Sequence, residues 1–361
     1  MAIKKNKEET SDEKPIDPFI AGLKSDKFAG RIGFGSFITR REGISTGSMS
    51  LDLKLGGSLP RDRVIEYYGP PSSCKTSMGL RAMRSYVEKF GYDKKKPFII
   101  DIERSITADL VEGMGLDPSK IFVVLPETGE EALDTLINIV RSGKFGFGLY
   151  DSIDAMETEK ESHRTMTDQS MGELPKLMSR IMRKLCKATI DNDCGVIFIN
   201  QIRSSLSMYG SPEVSSGGAA LKYYSHIRIR WKAEPSKEVK GALRLHPAIK
   251  KNKTSALISA DSEFDFFPGR DVELFSDYLE TSKQIGTIIT GGPYYQLIGD
   301  NDEMLNKFKG ANAIRDWLKE NPSNLKTWGE LIHTRWKKVC GTFHVEEEPD
   351  KNEFIEEKED D

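Results

Sequence analysis

The sequence has little of what holds secreted, metal-bound or membrane proteins together. Its 361 residues include four cysteines without a CxxC pair and five histidines without metal-ligand spacing, which argues against a disulfide framework and a Cys/His metal site. No apolar run approaches the ~20 residues that span a bilayer. The charged first residues lack the apolar segment of a secretory signal. We therefore expect reduced cysteines, no membrane partner and a cytoplasmic location.

Charge is distributed unevenly along the chain. The formal net charge is −3, but residues 346–361 contain ten acids and two lysines, a net −8 that leaves +5 on the rest. A basic body with an acidic tail is typical of a nucleic-acid binder whose tail competes for its own basic surface. The alternative is a terminus that only keeps the protein soluble, and both interpretations stay open.

Hydrophobic periodicity divides the chain into four parts. Residues 1–43 are expected to be disordered at first and then to form a short oligomerisation helix. Residues 44–269 alternate strand-like and helical runs, which predicts an α/β core with a mostly parallel sheet between helices. Residues 270–340 indicate a small α+β domain with a helix at Ala311–Lys319, and residues 341–361 form the acidic tail. The clearest strands are expected at Val64–Tyr68, Phe98–Asp101, Ile121–Leu125, Phe147–Asp151, Val196–Asn200 and Ile227–Trp231.

Two segments between these strands have their own patterns. Arg203–Gly218 is polar and glycine-rich, and long connections of this kind usually have a function. The next pattern is an apolar stripe at helical spacing, which core packing explains better than a cofactor site. The stripe consists of Leu174, Leu177, Met178, Ile181, Met182 and Leu185.

Residues 64–77 have the pattern of a phosphate-binding loop. The buried strand would end at Gly69, and a helix from Lys75 to about Glu88 would follow, so that amides at its start face an anion. In this motif the lysine reaches the β- and γ-phosphates, and the Thr76 hydroxyl holds Mg²⁺. Cys74 stands where the motif has glycine, at a position that demands an unusual backbone angle.

Polar residues at three strand ends would complete a site for nucleotide hydrolysis. Asp151 is placed to orient the magnesium ion next to Thr76. Asp101 and Glu103 end the preceding strand, and Glu103 could act as general base toward the attacking water. Gln201, past the strand Val196–Asn200, could sense the γ-phosphate and pass its state to the long loop. Each of these residues alone could equally be a helix or turn cap.

Several segments, taken together, resemble the bacterial RecA recombinase family. The resemblance covers roughly residues 30–330 in consistent order, and its divergence suggests a phage-encoded member. The matching segments are 44–52, 68–76, 183–185, 198–203, 217–223, 251–253 and 311–322, of which Asn-Gln-Ile-Arg followed by Gly-Gly-x-Ala-Leu-Lys is highly specific.

For the nucleotide, the resemblance implies ATP with Mg²⁺ as cofactors. Glu103 corresponds to the family's catalytic glutamate and Gln201 to its γ-phosphate sensor. Lys251 and Lys253 correspond to lysines that reach the ATP of a neighbouring subunit. The resemblance assigns the binding of the magnesium ion to Thr76 and Asp151. The nucleotide-binding set comprises Gly69, Pro70, Pro71, Ser72, Ser73, Cys74, Lys75, Thr76, Ser77, Asp101 and Asp151.

For nucleic acid, the resemblance implies single-stranded and double-stranded DNA as partners. The DNA-binding loops would lie at about 161–170 and 203–217, where basic groups neutralise phosphates and Tyr209 stacks on bases. The protein itself, as a helical homo-oligomer, is a further expected partner, and single-strand-binding and loader proteins are candidates. The implied DNA-binding residues are Lys176, Arg183, Arg203, Tyr209, Gly217, Gly218 and Lys222.

The resulting function hypothesis is a DNA-dependent ATPase of homologous recombination that forms filaments and exchanges strands. One alternative is a structural DNA-binding filament protein with little ATPase activity, for which Cys74 would be the sign. A ring helicase of related fold is a weaker alternative. Leu110 stands where the family stacks a tyrosine on adenine, which predicts weaker base selectivity, and the N-terminal segment departs from the family pattern.

Overall fold

The computed structural model describes residues 42–157, 173–204, 213–215, 219–254 and 260–340. All of them belong to the second of two compact units, residues 42–361. The predicted oligomerisation segment and the acidic tail lie outside the described residues. Within the described ranges, no helix combines the length and the apolar character needed to cross a membrane.

The described chain alternates strands and helices as far as residue 230, as the periodicity predicts. The strands are β1 (Gly43–Ile44), β2 (Leu59–Pro60), β3 (Val64–Gly69), β4 (Lys96–Asp101), β5 (Phe122–Val124), β6 (Phe145–Asp151), β7 (Gly195–Ser204), β8 (Glu213–Ser215), β9 (Ile227–Arg230), β10 (Ala233–Pro235), β11 (Leu243–Leu245), β12 (Ala248–Asn252), β13 (Ala260–Asp261), β14 (Phe264–Phe266), β15 (Ile288–Gly291), β16 (Tyr294–Ile298) and β17 (Met304–Lys309). The helices are α1 (Met49–Leu55), α2 (Lys75–Phe90), α3 (Ala108–Gly113), α4 (Gly129–Arg141), α5 (Glu173–Asp191), α6 (Ala219–Tyr224), α7 (Leu274–Ile285), α8 (Ala311–Glu320) and α9 (Pro322–Cys340), with a 3₁₀ turn at Pro118–Lys120.

A nine-stranded sheet forms the centre of the fold. Its strand order is β13-β12-β9-β3-β7-β6-β4-β5, with β8 attached to β7. The six strands from β9 to β5 run parallel, and β12, β13 and β8 are antiparallel additions. This confirms the predicted α/β class, and each of the six predicted strands is present with its bounds shifted by a few residues.

Both faces of the sheet are covered, so that all six residues of β3 and nearly all residues of β4 and β6 are buried. On one side α1, α2 and α3 pack on residues such as Ile65 and Ile99, and on the other side α4 and α5 pack on Val64 and Phe98. The predicted stripe on α5 faces this second core, where Met178 and Leu185 are fully buried. Continuous apolar runs of this kind are typical of parallel strands that are covered on both faces.

The C-terminal part is built around a third apolar core. Helices α7, α8 and α9 pack on the antiparallel sheet β15-β16-β17, with Trp328 at the centre. Leu53 and Met49 of α1 belong to the same core, although they are more than 200 positions earlier in the chain. The predicted domain boundary near residue 270 therefore stays a prediction, since the third core includes residues from both sides of it.

A buried carboxylate on α7 caps helix α1. Asp277 accepts hydrogen bonds from the Ser48 hydroxyl at 2.6 Å, the Met49 amide at 2.6 Å and the Ser50 hydroxyl at 2.7 Å. Its side chain is 2% exposed, and burial raises the pKa of Asp277 despite these bonds. Amides at the start of a helix have no partner within the helix, so this acid satisfies donors that burial would otherwise leave unpaired.

Replacing this acid should destabilise the protein as a whole. We expect Asp277→Ala to lower the free energy of unfolding by about 2–4 kcal/mol, because buried donors at the start of α1 lose their acceptor. Urea unfolding followed by circular dichroism measures the change. The matched control is Asp316→Ala on the exposed side of α8, which should stay within about 0.5 kcal/mol of the wild type. Equal, small effects of both variants would contradict the capping role.

Candidate nucleotide site and nucleic-acid face

The loop after β3 brings backbone amides close to a small volume. A Cβ on Gly69 would come within 2.2 Å of the Trp231 carbonyl oxygen, so this position excludes any side chain. Ser72 and Cys74 have positive φ angles of 57° and 59°, and Cys74 directly precedes α2. A left-handed residue before a helix N-terminus is the backbone pattern of an anion-binding nest. The unusual backbone angle predicted for Cys74 is confirmed.

Lys75 provides the positive charge of this loop. It is 6% exposed, and its Nζ donates to the Pro70 carbonyl at 2.7 Å and to the Ser73 hydroxyl at 3.2 Å. Both acceptors are neutral, and burial lowers the pKa of Lys75 even though the charges of Asp151 and Glu103 oppose that shift. A phosphate beside this ammonium would supply the counter-charge that the buried group needs.

Thr76 and Asp151 form a pair suited to magnesium. Thr76 Oγ1 donates to Asp151 Oδ2 at 2.6 Å, which joins the first turn of α2 to the end of β6. Asp151 is 1% exposed, and burial raises its pKa to about 7 in spite of this bond. A hydroxyl and a carboxylate are hard oxygen ligands of the kind that Mg²⁺ prefers, together with water and phosphate oxygens. A cation at this place would compensate the buried charge of Asp151, so the residues fit the ion.

The Thr76–Asp151 pair supplies two protein oxygens for a metal. In the part of the chain that the structure describes, no three or more His, Cys, Asp or Glu side chains are grouped as a metal site requires. A magnesium ion at Thr76 and Asp151 would therefore take its remaining ligands from water and from a bound phosphate.

The two residues predicted to act on the γ-phosphate are in contact. Gln201 Nε2 donates to Glu103 Oε1 at 3.2 Å, and the Ser152 hydroxyl donates to the same oxygen. Pairing of β3 with β7 places Gln201 directly opposite Gly69, at the start of the loop. Glu103 is exposed to solvent, so water has access to it. Sequence reasoning missed Ser152, which no pattern distinguishes from an ordinary strand-end serine.

Most of these side chains line one cleft of about 380 Å³. A volume of this size lies in the usual range for small-ligand sites. Gly69 and Pro70 are not in its lining, although the Pro70 carbonyl accepts from Lys75. The lining residues are Pro71, Ser72, Ser73, Cys74, Lys75, Thr76, Ser77, Glu103, Asp151, Ile199 and Gln201.

Two other positions are not in the lining of the cleft. Asp101 is 1% exposed, and its carboxylate accepts from the amides of Ser105 at 3.3 Å and Ile106 at 3.0 Å. The structure thus gives Asp101 a turn-closing role, and nucleotide binding by it stays a prediction. Leu110 on α3 is half-buried and packs on the first apolar core.

Comparison with known proteins assigns the chain to a family. The RecA N-terminal domain family matches residues 32–270, a range that contains every residue of the cleft. The chain belongs to the RecA family. It is 32% identical to Protein RecA of Synechococcus sp. (strain CC9902) over 82% of this chain and 77% of that protein. Protein RecA of Synechocystis sp. (strain ATCC 27184 / PCC 6803 / Kazusa) is also 32% identical, over 86% of each chain.

A solved structure, titled as the crystal structure of the RadB recombinase, is a more distant match. The match covers 64% of this chain and 100% of the RadB chain, with 20% sequence identity and a TM-score of 0.47.

In this RecA-family chain, the solvent side of α5 is basic over three helical turns. Lys176 and Arg183, the two predicted DNA-facing residues, are exposed there. Three more exposed basic side chains lie on the same face of α5. Residues that are three, four, seven or eight positions apart lie on one side of a helix. Sequence reasoning missed this set, which is Arg180, Lys184 and Lys187. The face as a whole suits a phosphate backbone.

The lysines predicted to reach a neighbouring subunit lie beside α6. Lys251 Nζ donates to the carbonyls of Lys222 and Tyr223 at 2.8 Å each, at the C-terminal end of that helix. Lys222 and Lys253 are exposed. Contact of Lys251 and Lys253 with a neighbour's nucleotide stays a prediction.

The remaining DNA-binding predictions fall largely on other parts of the chain. The loop at 161–170 and the residues Tyr209, Gly217 and Gly218 lie outside the described residues. Arg203 is described as a backbone position of β7, where it pairs with Val214 of β8.

Cys74 should be compatible with the loop. We expect Cys74→Gly to change the free energy of unfolding by less than about 1 kcal/mol, since relief of the left-handed angle offsets lost packing and glycine's entropy. Burial raises the pKa of the Cys74 thiol to about 11, so the side chain is neutral at pH 7 and the exchange leaves the charge unchanged. Calorimetric ATP affinity should agree within about threefold. Much tighter binding by the glycine variant would show that cysteine impairs the loop.

Asp151 should make the ligand-free protein less stable at alkaline pH. Its pKa of about 7 lies above the unfolded value, so the folded state binds the proton more tightly and gains stability as pH falls through 7. Asp151→Asn should therefore unfold at a higher temperature than the wild type at pH 8 without nucleotide or Mg²⁺. The difference should shrink toward pH 5. Calorimetric melts at both pH values check this, and a difference that grows toward pH 5 would contradict the assigned cause.

Proposed function

We propose that this protein is a DNA-dependent ATPase of homologous recombination. The observation that supports it most is the convergence in one cleft of a phosphate loop with Lys75, the Thr76–Asp151 pair, and Glu103 in contact with Gln201. These parts bind a nucleoside triphosphate, hold Mg²⁺ and activate water. Family membership supplies the recombination context.

In the proposed reaction, ATP and water give ADP and inorganic phosphate. The water oxygen forms a bond to the γ-phosphorus, the bond to the β-phosphate oxygen breaks, and the water proton passes to the Glu103 carboxylate. When bound at Thr76 and Asp151, Mg²⁺ neutralises charge on the phosphates. Lys75 balances phosphate charge, and Gln201 hydrogen-bonds the γ-phosphate.

The DNA-binding part of the proposal rests on the strand that holds Gln201. β7 continues past Gln201 to Ser204 and pairs with β8, so a contact with the γ-phosphate acts on a strand pair that extends into the predicted loop at 203–217. The basic face of α5 would contact DNA phosphates, with binding that weakens steeply as salt rises. We propose that copies of the chain form a helical filament on single-stranded DNA in the cytoplasm and pair it with duplex DNA.

Two site variants test the proposal against ATP hydrolysis with and without single-stranded DNA. Lys75→Ala should abolish ATP-dependent filaments and turnover, because the buried cation that compensates phosphate charge is gone. Glu103→Ala should keep ATP-dependent DNA binding while lowering turnover about 10²–10⁴-fold, the usual effect of losing a general base. Coupled-enzyme assays and electron microscopy provide the measurements.

Matched controls are Lys94→Ala and Glu112→Ala, both exposed and outside the cleft lining. Both should behave as wild type. Intact filaments and strand exchange in Lys75→Ala would overturn the proposal. Salt-sensitive DNA binding by the wild type without any turnover would instead favour the structural filament protein.

A further inference from the structure

Glu66 is an acid in the interior of the central sheet. It lies in the middle of β3, where all six residues are buried, and its own exposure is 0%. Burying a carboxylate costs several kcal/mol unless charge and hydrogen bonds compensate it. Its neighbours on both sides are apolar or aromatic, so its presence calls for specific partners on adjacent strands.

The carboxylate has a partner on each neighbouring strand. Oε1 accepts from Asn200 Nδ2 at 3.0 Å on β7, and Oε2 accepts from the Arg228 guanidinium on β9. Arg228 is 8% exposed, and its guanidinium lies 4.4 Å from the centre of the Tyr68 ring. Glu66 therefore joins three adjacent strands through their side chains as well as through their backbones.

The same row continues to Lys251. Glu66 pairs with Arg228 across β3 and β9, and Arg228 pairs with Lys251 across β9 and β12. Residues in register on neighbouring strands point to the same face, so these three charged groups are neighbours. On the other side, Asn200 of β7 lies opposite Tyr68, reaches Glu66 by its side-chain hydrogen bond and directly precedes Gln201. The row thus connects the strand of the nucleotide sensor with the lysine bound to the end of α6.

Charged groups from every packed element act on Lys251. Lys253 directly follows its strand, Arg228 lies on β9 and His226 just before it, Glu66 lies on β3, and Cys186 lies on α5. Burial, Lys253 and Arg228 together lower the pKa of Lys251 to about 8, while Glu66 and Cys186 oppose the shift. Lys251 therefore remains charged near neutral pH partly because a buried carboxylate lies in the same row.

We propose that Glu66 is a positioning residue for Lys251. By pairing with Arg228, its carboxylate offsets the cation that lies in register beside Lys251, and so leaves Lys251 on the carbonyls of Lys222 and Tyr223. The inference rests on the proposed function, in which Lys251 faces a neighbouring subunit's nucleotide. It predicts that Glu66 acts on hydrolysis without touching ATP.

The test measures the protonation of Lys251 directly, with no nucleotide present. Acetylation of Lys251 by acetic anhydride is followed against pH by mass spectrometry, since the neutral amine reacts. In the wild type the midpoint should lie near pH 8. Glu66→Gln removes the favourable charge and should move the midpoint to lower pH. Arg228→Gln removes a repelling charge and should move it to higher pH.

The two variants should shift the labelling midpoint in opposite directions, which separates a positioning role from a general loss of structure. Local loosening would expose Lys251 and raise the midpoint in both variants toward the ordinary lysine value of about 10.4. Asp265→Asn is the matched control, because it breaks the equally buried Arg244–Asp265 pair, whose bonds measure 2.8 and 2.9 Å, in a different sheet. Its midpoint should match the wild type. An unchanged or raised midpoint in Glu66→Gln overturns the proposal. If Glu66→Gln does not fold, Arg228→Gln decides: a raised midpoint with a wild-type melting temperature supports the proposal, and an unchanged or lowered midpoint, or a raised one with a lowered melting temperature, overturns it.

A second readout links the result to function. The alkaline limb of the ATPase pH profile should move to lower pH in Glu66→Gln, parallel to the labelling midpoint. Shifted labelling with an unmoved ATPase limb would overturn the functional role of the positioning. Absence of ATP hydrolysis in the wild type would instead refute the proposed function, while the labelling result would still stand.

Discussion

The parallel pairing of β3 with β7 on one side and β9 on the other determines where the functional side chains lie. Hydrogen-bond register places Gly69 opposite Gln201, and pairing of β4 with β6 places Asp101 opposite Asp151. Because parallel strands end at the same edge, the phosphate loop, the magnesium pair and the sensor all meet there without long connections. Burial of the apolar strands stabilises the sheet and therefore also aligns the functional side chains.

Within this edge, burial opposes charge. The pKa of Lys75 is lowered and that of Asp151 is raised, so the protein environment pushes both groups toward neutrality. In the proposed function, a triphosphate with its metal would reverse both tendencies, since it would provide an anion for the lysine and a cation for the aspartate. Such a site would be less stable without its ligand and would gain affinity for a ligand that carries both charges. Cys74 does not disturb this balance, because its thiol stays neutral.

Local patterns in the sequence were sufficient for the strands, the loop at 69–76 and the placement of Glu103 and Gln201 at one edge of the sheet, while their contact came from the structure. Apolar runs predict the strands, and polar residues mark where the strands end. Parallel pairing then brings these strand ends together at one edge of the sheet. Partners distant in the chain leave no such local signal. The Glu66–Arg228 pair spans 162 positions and the Ser48–Asp277 bond spans 229, and each is decided by tertiary packing alone. Lys251 likewise looks like any surface lysine until the end of α6 is placed beside it.

The cap that Asp277 provides for α1 has a consequence for the order in which the chain is completed during synthesis. During synthesis, α1 leaves the ribosome long before α7. Until α7 emerges, the donors at the start of α1 lack the Asp277 acceptor, while the segments between them emerge and the parallel sheet forms. Contacts of such long sequence separation form late, because the chain between them must be ordered first. The first helix of the described chain is thus one of the last to be finished, and the nascent protein exposes Leu53 until its C-terminal helices arrive.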